Sequence, residues 1–203
     1  MAKKIVPFIF CCLIFDFLVP YSFPASAQET SKIHRFDGGM MLHTGFLSGN
    51  IEPLSYFAAG MPFGVGGVLH YHIGNHFRIG GEGYVSTLRQ LGNGSYVKYG
   101  WGGLAGDFNW TFGHFMPYVG LTIGGGANTD MIMKDSPTED HRITGESFYR
   151  KKGFMMVDPF IGCDYILSEN LHLTLKIDCL CPLGRDLHMP IGPRLYFGVI
   201  FFH

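Results

Sequence analysis

The sequence predicts an all-β protein: a closed, up-and-down antiparallel barrel of eight strands that crosses a membrane. Three observations predict it. Apolar and polar residues alternate with period two from about residue 36 to the end of the chain, as in strands with two unlike faces. Beyond the first 27 residues, no apolar run is long enough for a spanning helix. Tight turns and longer links alternate between the strands, as they do when every second connection lies on the same side of a bilayer. Strands that cross hydrocarbon must close on themselves, because hydrocarbon offers exposed backbone groups no partner.

The chain opens on MAKKIVPFIFCCLIFDFLVPYSFPASA. Lys3 and Lys4 make a positive start, and residues 5–19 are mostly apolar despite Asp16. Ala25-Ser26-Ala27 has the small-x-small form of a signal-peptidase site. Residues 1–27 are therefore expected to be a signal peptide cleaved after Ala27, taking Cys11 and Cys12 with it. Residues 28–35 form a short N-terminal segment, and 36–203 form the barrel. The mature chain is then 203 − 27 = 176 residues, the size of one domain. Cleavage removes two of 15 basic and one of 16 acidic residues, leaving a net charge of 13 − 15 = −2. That balance excludes the basic footprint of a nucleic-acid binder.

The strands are expected at 36–47, 61–73, 77–90, 96–112, 115–128, 153–167, 171–181 and 193–202. The clearest is LHLTLKIDCL, where Leu171, Leu173, Leu175, Ile177 and Cys179 oppose His172, Thr174, Lys176 and Asp178. In FGVGGVLHYHI, Phe63, Val65, Leu69, Tyr71 and Ile73 oppose Gly64, Gly66, His70 and His72. Leu104, Phe108, Trp110 and Phe112 oppose Asp107, Asn109 and Thr111. Pro117, Val119, Leu121 and Ile123 oppose Tyr118, Gly120, Thr122 and Gly124. Val157, Pro159, Ile161, Cys163 and Tyr165 oppose Asp158, Phe160, Gly162 and Asp164. The last strand, LYFGVIFFH, sets Leu195, Phe197, Val199 and Phe201 against Arg194, Tyr196, Gly198 and Ile200. The first and third strands alternate less cleanly but place Asp37, His43, Arg78 and Glu82 on one inner face.

Gly74-Asn75-His76, Gly113-His114 and Ser168-Glu169-Asn170 read as tight turns; 48–60, 129–152 and 182–192 read as longer links. An even strand number puts both ends of the barrel chain on the tight-turn side. Tyr71, Phe77, Phe112, Phe115 and Tyr165 flank those turns, as an interfacial aromatic girdle does. Glycine recurs on the inner face at Gly39, Gly64, Gly66, Gly120, Gly124, Gly162 and Gly198. Glycine weakens a strand, so this density points to limited interior volume beside large neighbours.

This layout resembles the small eight-stranded outer-membrane β-barrel superfamily, of the OmpA, OmpX and OmpW type. The resemblance covers the whole mature chain and rests on pattern rather than on a diagnostic motif. It implies the outer membrane of a Gram-negative bacterium, insertion by the barrel-assembly machinery and contact with outer-membrane lipid. In that group the closing strand usually ends on an aromatic residue; here His203 follows Phe201 and Phe202.

Asp37, Arg78, Glu82, Asp107, Asp158, Asp164, Lys176, Asp178 and Arg194 all fall on inner positions. Eight strands leave an interior just filled by side chains, and an unpaired buried charge is costly. A salt-bridge plug is therefore expected, with Arg78, Lys176 and Arg194 each partnered by a carboxylate; a proton or ion path is the competing reading. His70 and His72 share a face about 7 Å apart, at ~3.3 Å per residue. They lack the companion ligands of a known metal signature and read as inner or rim polar residues. Cys163, Cys179 and Cys181 fit no zinc or haem spacing and read as small apolar thiols.

Some barrels of this size are enzymes acting on lipopolysaccharide acyl chains, and the deacylase type carries Ser, His and an acid at the lipid-facing outer rim. His43, Ser48 and Glu52, and Asp186 with His188, lie near that rim, but no matching motif surrounds them. No catalytic, cofactor or metal residues are therefore assigned. GGGAN, Gly124–Asn128, lacks the Lys and following helix of a phosphate loop. Link 129–152, with five acids and five bases, has the composition of a solvated loop and is the expected place for an extracellular partner. The expected role is that of a monomeric structural or surface-interaction barrel. A lipid-modifying barrel enzyme is the first alternative. A soluble exported barrel binding a small hydrophobic ligand, of lipocalin type, is the second, and the charged, glycine-rich inner sets argue against it.

Overall fold

A computed structural model describes residues 35–51, 56–89, 95–137, 143–183 and 190–203. The expected signal peptide, Glu52, Asp186 and His188 lie outside the described residues. Eleven strands are present: β1 (Phe36–Gly45), β2 (Leu47–Ile51), β3 (Tyr56–Gly60), β4 (Phe63–Ile73), β5 (Phe77–Arg89), β6 (Tyr96–Asn109), β7 (Phe115–Pro137), β8 (Ile143–Ser168), β9 (Leu171–Cys179), β10 (Cys181–Leu183) and β11 (Pro193–Phe202). Eight of them close a barrel in the order β1, β4, β5, β6, β7, β8, β9, β11, with β11 returning to β1. Every pairing is antiparallel. Closure removes the exposed edges that a membrane would not tolerate. It runs to the last residue, where the His203 amide donates to the Phe36 carbonyl at 2.9 Å.

The register fixes the barrel's stagger. From Met41, the ladder leads through Gly66, Tyr84, Trp101 and Gly126 to Phe154. The other way round, it leads through Gly198 and Thr174 to Asp164 on the same strand. The two ends differ by 164 − 154 = 10 residues, so the shear is ten. Eight strands with that shear tilt about 41° from the axis and enclose a backbone radius of about 8 Å. Only side chains fill such a cylinder.

The faces divide as alternation demands. Leu104 and Met40 are 64% and 69% exposed, whereas Thr122, Asp37 and Lys176 on inner positions are at most 2% exposed. Leu175, Ile177, Leu195, Phe197 and Phe201 look outward, and His172, Thr174, Asp178 and Arg194 inward. A water-soluble barrel would have the opposite polarity. Phe36 packs on Tyr71, and Phe115 on Tyr165, at ring separations of 5.0 and 5.2 Å along the tight-turn rim.

The inner glycines answer to specific side chains. A Cβ at Gly64 would strike the His43 ring, at Gly66 Tyr84, at Gly120 Phe160, and at Gly162 Tyr118. Each glycine thus opens the space its neighbour's ring occupies. Gly74 and Gly113 serve a different need, sitting at φ of 68° and 61° in tight turns that favour a residue without Cβ.

The structure corrects the expected boundaries on the loop side. The first strand stops at Gly45 rather than 47, and the fourth at Asn109 rather than 112. Link 48–60 is not open loop: β2 and β3 pair as a hairpin. Link 129–152 is largely strand as well. β7 and β8 stay paired from Thr129↔Lys151 to Pro137↔Ile143, well past the end of β6. Opposite charges meet across that ladder at Asp130↔Arg150 and Lys134↔Glu146, so the composition that suggests a loop also suits a solvated hairpin. Leu180 breaks the expected strand 171–181, and Cys181 begins β10, which pairs with β8 instead.

Candidate functional site

The interior is where this chain concentrates its chemistry. Among the described residues, three buried cations run along the barrel axis. Nearest the tight turns, Arg78 on β5 donates from Nε to Asp107 at 2.8 Å and from Nη1 to Asp164 at 3.0 Å. Its Nη1 also lies 3.6 Å from Asp37. Asp37 on β1 accepts from His70 Nδ1 at 2.8 Å and from His72 Nε2 at 2.6 Å. The two imidazoles that share a face on β4 thus clasp one carboxylate. No group of three or more His, Cys, Asp or Glu side chains is arranged to hold a metal among the described residues.

In the middle, Lys176 on β9 donates to Glu82 at 2.6 Å and to the Tyr84 hydroxyl at 3.3 Å. Thr122 donates to the other Glu82 oxygen at 2.5 Å. The ammonium also sits 4.7 to 4.9 Å from the ring centres of Phe160, Tyr196 and Tyr84. Further toward the loops, Arg194 on β11 donates to Asp178 at 2.7 Å and to Asp158 at 3.0 Å, with its guanidinium 4.3 Å above Trp101. Above these, Arg150 donates to Asp130 at 2.7 Å, and Asn128 donates to the same carboxylate at 2.9 Å.

Arg78, Lys176 and Arg194 each meet carboxylates, as their inner positions predict. The partners come from strands distant in sequence, so each pair staples the cylinder across its width. Burying such charges is tolerable only because the attraction and hydrogen bonds offset lost hydration. Six carboxylates face these three cations: Asp37, Glu82, Asp107, Asp158, Asp164 and Asp178. The interior is therefore acidic in excess.

The loop-end layer is built differently. His43, Ser86, Tyr99 and Trp101 point inward and are at most 5% exposed. Both ring nitrogens of His43, Ser86 Oγ, the Tyr99 hydroxyl and Trp101 Nε1 have no hydrogen-bond partner. The residues are contiguous: Ser86 faces Tyr99 in the ladder, and the His43 ring packs 5.3 Å from Trp101. Sequence reading singled out only His43, and for another role. The parity that turns Asp107 and Asn109 inward also turns Tyr99 and Trp101 inward, which is the signal that locates them.

The residues considered for acyl-chain chemistry are not brought together. His43 faces the barrel interior rather than lipid. Ser48 sits on β2 and bridges to Ile191. The thiols take no part in the interior: Cys163 lies on the lipid-facing set, and Cys181 Sγ donates to the Cys179 carbonyl at 3.3 Å.

A closed cylinder with oily flanks and paired charges inside is a transmembrane β-barrel of the small, eight-stranded class. No family model matches the chain, and no curated protein matches it in sequence. Solved structures do. Neisserial surface protein A is similar with a TM-score of 0.60 and 12% identity, over 83% of this chain and 97% of that one. Ail, the attachment invasion locus protein of Yersinia pestis, gives 0.53 and 11%, over 83% and 99%. The N-terminal β-barrel domain of Pseudomonas aeruginosa OprF gives 0.50 and 10%, over 84% and 98%. At these identities the shared property is the fold.

Proposed function

We propose that this chain is an exported outer-membrane barrel of a Gram-negative bacterium, cleaved after Ala27 and inserted by the barrel-assembly machinery. It acts as a monomeric structural or surface-interaction scaffold whose interior is closed to passage. The observation that carries this reading is the inversion of polarity: lipid-compatible side chains outside, cross-strand ion pairs inside. The radius of about 8 Å supports the closed interior, since Arg78, Lys176 and Arg194 with their aromatic neighbours occupy it at three levels. The β7–β8 hairpin is the part of this scaffold offered to an extracellular partner, because it rises above the other strands on a rigid base.

Two measurements test the reading. Cell fractionation should place the protein in the outer-membrane fraction with a mature N-terminus at Gln28. Recovery in the soluble periplasmic fraction without detergent overturns the membrane assignment. Reconstitution into planar bilayers should give no stable conductance steps. Steps that persist after Glu82 and Lys176 are both replaced by Leu would mean that the plug is not what closes the barrel.

A further inference from the structure

A buried polar atom without a partner is uncommon in a native fold and calls for a specific explanation. The loop-end layer holds five on four adjacent side chains, while the cations below are each multiply bonded. A cleft of about 250–300 Å3, partly open to solvent, reaches this layer; the measured space is about 290 Å3. Its floor is formed by Ser86, Tyr99, Trp101 and Arg194. Its cover is formed by Leu47, Leu180 and Ile191, from three segments that meet at the barrel's loop end. Little holds the cover shut. Ser48 and Ile191 exchange two backbone hydrogen bonds of 3.2 Å in an isolated bridge, outside any longer ladder.

From this geometry we infer that the loop end of the barrel is a closed-over binding chamber for one neutral sugar ring. The chemistry of the floor selects the class. Trp101 Nε1 can only donate, while the Ser86 and Tyr99 hydroxyls donate and accept. Their complement is a ligand carrying several hydroxyls. The aromatic rings and the Leu and Ile cover call for an apolar face on the same ligand, which a pyranose presents through its C–H groups. An anion fits poorly: six interior carboxylates face three cations, and Arg194 already serves Asp178 and Asp158. The orphaned atoms are sealed from solvent as the cover stands, so binding breaks the two bridge bonds and exchanges them for bonds to Ser86, Tyr99 and Trp101. This inference rests on the interior geometry alone and stands whichever membrane holds the barrel.

The test uses the full-length folded barrel in a detergent that carries no sugar. Trp110→Phe leaves Trp101 as the reporting indole, since the chain has two tryptophans. The methyl pyranosides of glucose, galactose and mannose, and N-acetylglucosamine, are titrated by Trp101 emission and by saturation-transfer NMR. At least one should bind saturably, and inorganic phosphate should not. Ser86→Ala and Tyr99→Phe should each weaken that binding about five- to tenfold. Ser48→Pro, which deletes one cover bond, should strengthen it about two- to fivefold by lowering the cost of opening. Heat-modifiable migration on gels confirms that each variant is folded. The chamber is refuted if every sugar fails to bind up to about 100 mM, the result expected if ordered water alone satisfies the floor. It is equally refuted if the Ser86→Ala, Tyr99→Phe double variant binds unchanged. Ser48→Pro binding no more tightly would overturn the closed cover.

Discussion

The two ends of this interior solve the same problem in opposite ways. Toward the tight turns, polar groups find one another: Arg78 spans Asp107 and Asp164, Asp37 takes two imidazoles, and the Tyr118 hydroxyl meets Thr174 at 2.9 Å. Toward the loops, Tyr99, Ser86, Trp101 and His43 are as deeply buried but unpartnered. Burial is alike, so the difference lies in what each layer was selected to touch. The first is complete within the chain, and the second is complete only with something added. Stability and recognition are thus divided along one axis, a division that a barrel allows because each layer is a ring contributed by all eight strands.

The largest expected effect comes from breaking the completed region. Glu82→Leu strands Lys176 in an apolar interior and should cost about 3–5 kcal/mol in reversible urea unfolding followed by tryptophan emission. Adding Lys176→Met should recover most of that loss, because a buried ion pair replaced by apolar residues of similar size is often neutral. If the double variant stays as unstable as the single one, Glu82 matters for more than its partner. Next is the outer face, whose polarity the whole comparison presupposes. Leu104→Arg puts a charge on the lipid-facing set and should cost about 2–4 kcal/mol if the residue lies near the bilayer midplane. A cost within experimental error would mean that Leu104 faces water.

The same chemical change at each end sharpens the contrast. Tyr118→Phe deletes a hydroxyl that is bonded to Thr174 and should destabilise the sugar-free barrel by about 1 kcal/mol. Tyr99→Phe deletes a hydroxyl bonded to nothing and should leave stability unchanged or raise it by up to about 1 kcal/mol. These two unfolding curves, measured side by side, should move in opposite directions or at least by unequal amounts. Equal losses would show that Tyr99 has a partner in solution and would erase the distinction between the layers.

Which side of each strand meets lipid was readable from residue order alone, because a period of two leaves one choice of face once LHLTLKIDCL is seen. Arg78, Lys176 and Arg194 were placed inside on that basis. Their particular partners were not readable. Lys176 and Glu82 are 94 positions apart, and their meeting depends on a shear of ten that no local pattern encodes. Link 129–152 was misjudged because charge density marks exposure, not the absence of strand; Asp130↔Arg150 becomes visible only once the register is known. The loop-end layer escaped for another reason. Ser86, Tyr99 and Trp101 are ordinary strand residues, and a missing hydrogen bond has no signature in a sequence.

The height of the β7–β8 hairpin carries a practical consequence. The β6 ladder ends at Tyr96↔Met131, yet β7 continues to Pro137, which adds about 20 Å at ~3.3 Å per residue. With the tight turns toward the periplasm, this mast stands taller than its neighbours, and an antibody approaching a living cell would reach it first. A short epitope inserted between Pro137 and Ile143 would therefore be displayed on intact bacteria without disturbing the cylinder beneath.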